Sequence, residues 1–238
     1  MKPQAKDRLI VALDLETVAD AERLVERLGD AVTFYKVGLV MQLAEGTDEF
    51  IRRLIAQGKR VFLDYKYYDV PETLRKAVSR AAGIGVSFLT IHGSGNLIRA
   101  AVAAKGGSDL KLFTVTVLTA MDRGDIREMG YSEHAVGELV AFRARKALEA
   151  GCDGVIASGQ EAETIKALSG GKLLVITPGI RPDGYPEDDQ KRRTSAAMAI
   201  GAGADYLVVG RPITDAPEPR AAAEGFLREM QVAFEARA

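Results

Sequence analysis

Short apolar segments alternate with longer amphipathic segments along almost the whole chain. The apolar segments are rich in Val, Ile, Leu and Phe, as expected of strands that are buried on both faces. We predict eight strands, at residues 8–14, 33–38, 60–65, 86–92, 111–117, 153–157, 173–177 and 205–209. The intervening segments repeat apolar residues with the period of a helix, and several end at a glycine. The predicted helices cover residues 16–28, 47–57, 71–84, 94–104, 132–150, 160–168, 194–201 and 219–235.

Eight alternating strand and helix units predict an α/β fold, a (β/α)8 TIM barrel formed by residues 1–238 as a single domain. No Pro-rich or Ser-rich linker divides the chain. A doubly wound open sheet is the alternative. It is disfavoured because Asp14-Leu15-Glu16-Thr17, and not a glycine-rich dinucleotide-binding turn, follows the first predicted strand.

Polar residues gather where the predicted strands end. In a (β/α)8 barrel these positions converge on the C-terminal rim, where catalytic residues of this fold lie. The candidates on strands one to four are Asp14, Lys36, Asp64, Lys66 and His92. Those that follow strands five to eight are Thr119, Ser158, Pro178-Gly179-Ile180-Arg181 and Gly210-Arg211.

The third strand carries the most informative of these residues. Asp64 and Lys66 are two residues apart, so a regular strand places both side chains on one face, within pairing distance. A structural ion pair is one interpretation. With Lys36 on the adjacent strand and Asp69 beyond the strand end, however, the charges can form an alternating array in which every group stays ionised. Such an array would keep Lys66 protonated as a proton donor.

Asp69 has a second interpretation. The spacing Asp69-x-x-Glu72 before a helix fits a capping box, in which the side chains satisfy terminal N–H groups. The residues alone leave the two roles open. Thr73 is likewise consistent with an ordinary first-turn position.

The eighth unit has the features of a phosphate site. Gly210 allows an anion to approach the backbone after the strand, and Arg211 adds a charged fork, at a position where barrels commonly bind phosphate. A surface arginine beside a turn glycine is the alternative. The long polar loop at 180–193 predicts a lid. Within it, Lys191, Arg192 and Arg193 are expected to be solvated.

Other chemistries find little support. With only two histidines, His92 and His134, no histidine cluster for a metal is expected, and His92 is interpreted as a barrel-interior residue. Asp14 could join Asp64 around a divalent cation, but two lysines compete for these carboxylates. Cys152 precedes strand six at the opposite rim, so no cysteine or serine nucleophile is expected either.

Composition narrows the setting. The chain has 32 basic and 33 acidic residues and a net charge of −1, which disfavours a nucleic-acid or anionic membrane partner. A single cysteine suits a reducing compartment. The apolar run near the N-terminus is too short for a signal peptide or a membrane span. We therefore expect a soluble cytoplasmic protein.

Several motifs together resemble the orotidine 5′-phosphate decarboxylase family over nearly the whole chain. The Asp-x-Lys-x-x-Asp core is shared with related sugar-phosphate decarboxylases and synthases, whereas its Pro-x-Thr extension, Pro-Gly-Ile-Arg and Asp-Gln-Lys-Arg narrow the resemblance to this family. The matching segments are Leu13-Asp14, Tyr35-Lys36-Val37-Gly38, 62–73, Thr177-Pro178-Gly179-Ile180-Arg181, Asp189-Gln190-Lys191-Arg192 and Val209-Gly210-Arg211.

The resemblance implies loss of CO₂ from orotidine 5′-monophosphate to give UMP, without a metal or organic cofactor, in de novo pyrimidine biosynthesis. It implies that Lys66 protonates C6, that Asp64 holds Lys66 and lies against the departing carboxylate, and that Lys36 links the array to a ribose hydroxyl. A Mg²⁺-dependent sugar-phosphate decarboxylase or aldolase of the same superfamily is the alternative function, and a catalytically silent nucleotide-binding protein is a third.

The remaining implied contacts involve the ribose, the base, the phosphate and a partner subunit. Asp14 would bind ribose and Thr119 the pyrimidine. Asp69 and Thr73 would reach into the neighbouring site of a homodimer. The implied phosphate ligands are Gln190, Gly210 and Arg211, with Arg181 as a further substrate-binding candidate. One departure is Glu72, where the family more usually has Asn, and it concerns the local interface more than the array.

Overall fold

The structure is a computed structural model that describes residues 4–131 and 135–237. Its strands are β1 (Leu9–Ala12), β2 (Phe34–Gly38), β3 (Arg60–Tyr67), β4 (Phe88–Ile91), β5 (Lys111–Val115), β6 (Gly154–Ile156), β7 (Leu174–Thr177) and β8 (Tyr206–Val209). Within the described residues these eight strands form a closed parallel barrel, in which β8 pairs back with β1. The predicted (β/α)8 barrel is confirmed.

Helices cover the outside of the barrel. They are α1 (Val18–Leu28), α2 (Leu39–Gln42), α3 (Thr47–Ala56), α4 (Pro71–Ile84), α5 (Gly95–Ala104), α6 (Arg123–Glu128), α7 (Val136–Glu149), α8 (Ala162–Ser169), α9 (Ala196–Gly201), α10 (Arg211–Thr214) and α11 (Pro219–Arg237). Short 3₁₀ turns occur at Ala5–Asp7 and Gly159–Glu161. No helix in the described parts of the chain is long and apolar enough to cross a bilayer.

The elements differ from the prediction in three informative places. β3 continues to Tyr67, so Lys66 belongs to the strand. A separate helix, α6, was not predicted, although Asp122 and Asp125 form a capping box at its start. The helix predicted from residue 132 begins in the structure at Val136, and residues 132–134 lie outside the described part of the chain.

Two apolar layers hold the fold together. One lies between the strands and the helices, and the other fills the barrel interior. At the centre of the inner layer, the Phe88 ring lies 4.7 to 6.0 Å from four other aromatic rings, in edge-on or tilted arrangements. These rings belong to Phe34, Phe62, Phe113 and Tyr206. The aromatic layer closes the N-terminal half of the barrel and leaves the C-terminal half for polar groups.

Candidate active site

Four charged side chains meet above the aromatic layer. The ammonium nitrogen of Lys36 lies 2.8 Å from Asp14 Oδ1 and 3.6 Å from Asp64 Oδ2. The ammonium nitrogen of Lys66 lies 3.0 Å from Asp64 Oδ1. Charges therefore alternate along Asp14, Lys36, Asp64 and Lys66, a set that we call the charged array. The structure brings together three of the four predicted array members, Lys36, Asp64 and Lys66, and adds Asp14 at the Lys36 end.

A β-bulge shapes the array at Lys66. The register between β3 and β4 shifts between Leu63 and Tyr67, and Lys66 has a φ of 49°, the left-handed region that a lysine rarely adopts. The backbone N–H of Lys66 donates to Thr90 Oγ1 (2.9 Å), and the Thr90 hydroxyl lies 2.9 Å from Asp64 Oδ1. Sequence reasoning missed Thr90, which connects the strained backbone to the central carboxylate.

The two lysines keep Asp64 ionised. Burial alone would raise the pKa of this carboxyl, but the charges of Lys36 and Lys66, together with hydrogen bonds from Lys66 and Thr90, outweigh it and hold the pKa below its ordinary value of 3.8. The Lys36 side chain is only 9% exposed. Two carboxylates, Asp14 and Asp64, face its ammonium group and offset the cost of burying it.

Gly38 leaves the room that the array requires. It is aligned with Asp64 in the pairing of β2 with β3. A Cβ at this position would lie 2.7 Å from Asp14 Oδ1 and 2.8 Å from the Lys36 ammonium nitrogen. Any larger residue would therefore push the Lys36 and Asp14 side chains apart.

The charged array lines one wall of a cavity of about 230 Å³ at the C-terminal rim. On its other side lie the residues predicted to bind base and phosphate: Thr119, Arg181, Gln190, Gly210 and Arg211. The convergence predicted from the strand ends is thus present in the fold. One wall is charged and built on strands, and the opposite wall is built on loops.

Hydrogen bonds and ion pairs order the loop wall. The Thr119 hydroxyl lies 2.6 Å from Gln190 Oε1, and this contact joins the β5–α6 segment to the long loop. Arg181 is buried and donates twice to Asp188 Oδ2, at 2.7 and 2.8 Å. Arg211 pairs with Asp189 and lies 3.3 Å from Asp188. A phosphate at Arg211 has to compete with these two carboxylates, whose role the sequence did not indicate.

Lys191, Arg192 and Arg193 were all expected to be solvated, but not all of them are. Lys191 is exposed but pairs with Asp122 and Asp125, at 2.7 and 3.0 Å. Arg192 is buried at 8% exposure and pairs with Glu161, so the expectation for this residue was wrong. The reason is tertiary, because Glu161 lies just after β6, far from the loop in sequence.

Asp69 and Thr73 lie outside this cavity. Both are exposed, and the Asp69 carboxylate accepts a hydrogen bond from the N–H of Val70 (2.6 Å). The capping-box interpretation was wrong: Val70 occupies the N-cap position of α4 and makes no side-chain capping bond. Glu72 instead pairs with Arg75 and Lys76 on the surface of the same helix.

His92 also lies apart from the charged array. It is half-buried at the end of β4 and lines a neighbouring cavity with Tyr68 and Arg143, outside the barrel interior that was predicted for it. Burial, Arg143 and Lys66 lower its pKa below 6.5. Across the described residues, no group of three or more His, Cys, Asp or Glu side chains is arranged to hold a metal ion. His134 lies outside those residues.

The amino-acid sequence is similar to a known protein family and to named proteins. The profile of the orotidine 5′-phosphate decarboxylase / HUMPS family matches residues 7–226. Orotidine 5′-phosphate decarboxylase of Nitrobacter winogradskyi is 54% identical over 95% of this chain and 93% of its own length. The Methylococcus capsulatus protein of the same name is 48% identical over 97% of this chain and 94% of its own.

A solved structure gives the same result at the level of the fold. The crystal structure of orotidine 5′-phosphate decarboxylase from Lactobacillus acidophilus superposes with a TM-score of 0.82 at 34% identity. The similarity covers 94% of this chain and 98% of that one.

Proposed function

The chain belongs to the orotidine 5′-phosphate decarboxylase / HUMPS family, and we propose that the charged array is the centre at which it converts orotidine 5′-monophosphate to UMP and CO₂. This reaction places the enzyme in de novo pyrimidine biosynthesis. The observation that carries the assignment of the centre is the pairing of both Lys36 and Lys66 with one partly buried carboxylate, Asp64, at the wall of the rim cavity.

Lys66 supplies the proton in this proposal. As the bond from C6 to the carboxylate breaks, its electron pair stays on C6, and a proton from the Lys66 ammonium forms the C6–H bond of UMP. The neutral amine then regains a proton from solvent. A fixed ammonium group stabilises the negative charge that develops on C6 more than charge already spread over the substrate carboxylate, so its effect falls mainly on the transition state.

Asp64 and Lys36 hold that ammonium group in place. Asp64 is anchored by Thr90 and shared by both lysines, which restrains Lys66 Nζ on the strand wall. Repulsion between Asp64 and the substrate carboxylate adds to the driving force for CO₂ loss. Lys36 and Asp14 would bind ribose hydroxyls, since their paired ends face the same cavity.

The loop wall would bind the rest of the nucleotide. Thr119 would contact the pyrimidine, and Gln190, Gly210 and Arg211 would hold the phosphate. Arg181 is the weaker ligand candidate because Asp188 and the Ile180 carbonyl already engage its guanidinium. Binding energy from the phosphate can then be used to close the 180–193 loop over the reacting carbon.

A second function in the same family, a Mg²⁺-dependent sugar-phosphate decarboxylase or aldolase, is not favoured. The relatives from Nitrobacter winogradskyi and Methylococcus capsulatus are named orotidine 5′-phosphate decarboxylases. In addition, the carboxylates that such a metal would use, Asp14 and Asp64, are paired with lysines.

The deciding experiment is a spectrophotometric assay of orotidine 5′-monophosphate with purified protein. We expect conversion to UMP at an unchanged rate in EDTA. Folded protein that binds UMP tightly without turnover would support the silent nucleotide-binding alternative, and loss of activity in EDTA would support the metal-dependent one.

We also propose a homodimer with shared sites, working in the cytoplasm. Support comes from Asp69 and Thr73, which lie outside their own cavity, next to the exposed apolar side chains of Tyr68 and Val70. In that arrangement Asp69 and Thr73 would complete the site of the partner subunit. The cytoplasmic location rests on the single cysteine, Cys152.

Mixing inactive Lys66→Ala and Asp69→Ala subunits tests the shared site. Each mixed dimer would contain one intact site, so roughly a quarter of all sites should recover activity on random pairing. The absence of recovery after verified subunit exchange would mean that Asp69 serves its own subunit's site.

A further inference from the structure

Arg192 lies buried at the base of the long loop, where it touches three separate segments. Its Nη1 pairs with Glu161, just after β6. Its Nη2 donates to the backbone carbonyls of Val117 and Leu118, at 3.0 Å each. One guanidinium group therefore binds the segment after β5, the segment after β6 and its own loop together.

The backbone of Arg192 repeats these connections. Its N–H donates to the Thr119 carbonyl (3.1 Å), and its own carbonyl accepts from the Ser158 hydroxyl (3.2 Å). Side chain and main chain thus hold the same loop residue against both neighbouring strand ends. These bonds fix Arg192 at the base of the long loop.

The position of Arg192 in the chain links it to the substrate cavity. Val117 and Leu118 immediately precede Thr119, and Gln190 lies two residues before Arg192. Thr119 and Gln190 are the two partners of the 2.6 Å hydrogen bond across the loop wall. We propose that Arg192, with Glu161 as its counter-ion, is a positioning residue that holds Thr119 and Gln190 in register for the nucleotide. This inference rests on the proposed function.

A purely stabilising role explains the pair less well. Burying two charges is costly, and here Glu161 Oε2 and Arg192 Nε are buried without a hydrogen-bond partner within the described structure. Burial raises the pKa of the Glu161 carboxyl above its ordinary value, even with Arg192 beside it. A pair of apolar side chains could fill such a site at a lower cost in free energy, but could not bind two carbonyls and a carboxylate at once.

The test compares Arg192→Lys with wild type. Lysine keeps the charge beside Glu161 but lacks the fork that reaches both carbonyls. We expect KM for orotidine 5′-monophosphate to rise about tenfold, the size of about one lost hydrogen bond to a charged group, with kcat within about threefold of wild type. UMP affinity, measured by calorimetry, should weaken by a similar factor. Glu161→Gln keeps a hydrogen bond to Arg192 and should show a smaller change in KM.

A double-mutant comparison with Gln190→Ala shows whether Arg192 acts on KM through Gln190. In a Gln190→Ala background, Arg192→Lys should change KM by less than about twofold, because the contact that Arg192 positions is already lost. The matched control is Lys105→Met, which breaks another partly buried ion pair, with Asp153 at the opposite end of the barrel. It should lower the melting temperature without a change in KM.

Two results would overturn the inference. One is Arg192→Lys behaving like Lys105→Met, with lower stability but unchanged KM and UMP affinity. The other is full additivity with Gln190→Ala. If wild-type protein shows no turnover, the proposed function is rejected. The UMP affinity of Arg192→Lys relative to wild type would then still decide whether Arg192 positions the cavity wall.

Discussion

The two halves of the barrel interior rise from the same strands and have opposite chemistry. On β2 and β3, the aromatic residues Phe34 and Phe62 are followed two positions later by Lys36 and Asp64. Because side chains alternate across a strand, each charged residue stands on the same face as the aromatic residue below it. The same strands thus carry the aromatic layer, which forms an apolar floor in the barrel interior, and the charged array above it.

The two halves contribute differently to the protein. The aromatic floor removes large apolar surfaces from water and favours folding. The charged array carries a cost, because its groups lose hydration and Lys66 adopts a strained backbone conformation. We infer that the free energy gained by burying the aromatic floor offsets the cost of the charged array. Three substitutions test this division of roles.

Lys66→Met should have the largest effect. Removing the proton donor and the ammonium charge should reduce kcat by at least about 10⁴-fold, since general acid catalysis and electrostatic stabilisation are lost together. Stability should change by less than about 1 kcal/mol, because Asp64 keeps Lys36 as a partner. Steady-state assays and urea denaturation measure the two quantities.

The control for Lys66→Met is Lys76→Met on the outside of α4, where the side chain is 76% exposed. It should leave kcat unchanged. A Lys66→Met enzyme with more than about a hundredth of wild-type kcat would remove Lys66 from the proposed chemistry.

Phe88→Ala tests the floor. Removing a ring that contacts four others should lower the free energy of unfolding by about 3–5 kcal/mol, through lost burial and the cavity left behind. Urea denaturation measures the loss, while kcat per folded molecule should stay near wild type. Val232→Ala, at an exposed apolar position, is the control and should change stability by less than about 0.5 kcal/mol. A large loss of kcat with unchanged stability would contradict the separation of the two halves.

Asp64→Asn tests how charge in the array contributes to stability. The folded-state pKa of Asp64 is depressed below 3.8, so its ionisation favours the folded protein above that pH. The advantage of wild type over Asp64→Asn should be complete above about pH 5 and should shrink as the pH falls through the folded-state pKa. Urea denaturation between pH 7 and pH 3 measures it.

The control for this comparison is Asp109→Asn, which removes an exposed carboxylate. If the difference in free energy of unfolding between wild type and Asp64→Asn stays constant down to pH 3, ionisation of Asp64 does not stabilise the folded protein.

Sequence reasoning placed most of the candidate site because the barrel repeats one local rule. Each strand end points to the same rim, so Asp14, Lys36, Asp64 and Lys66 could be assigned to one place without coordinates. Reasoning failed where a residue's surroundings come from distant segments. Arg192 lies in a run of basic residues typical of a solvated loop, yet it is buried and bonded to Glu161 and two backbone carbonyls.

The amino-acid sequence by itself determined the eight-fold alternation, the order of aromatic and charged residues along each strand, and the residues that meet at the rim. These follow from local periodicity, which each segment carries alone. The tertiary structure decided that a bulge and Thr90 orient Lys66, that Asp14 closes the array, and that Asp69 turns away from it. Such details depend on strand register and on contacts between segments far apart in the chain, and no local pattern records them.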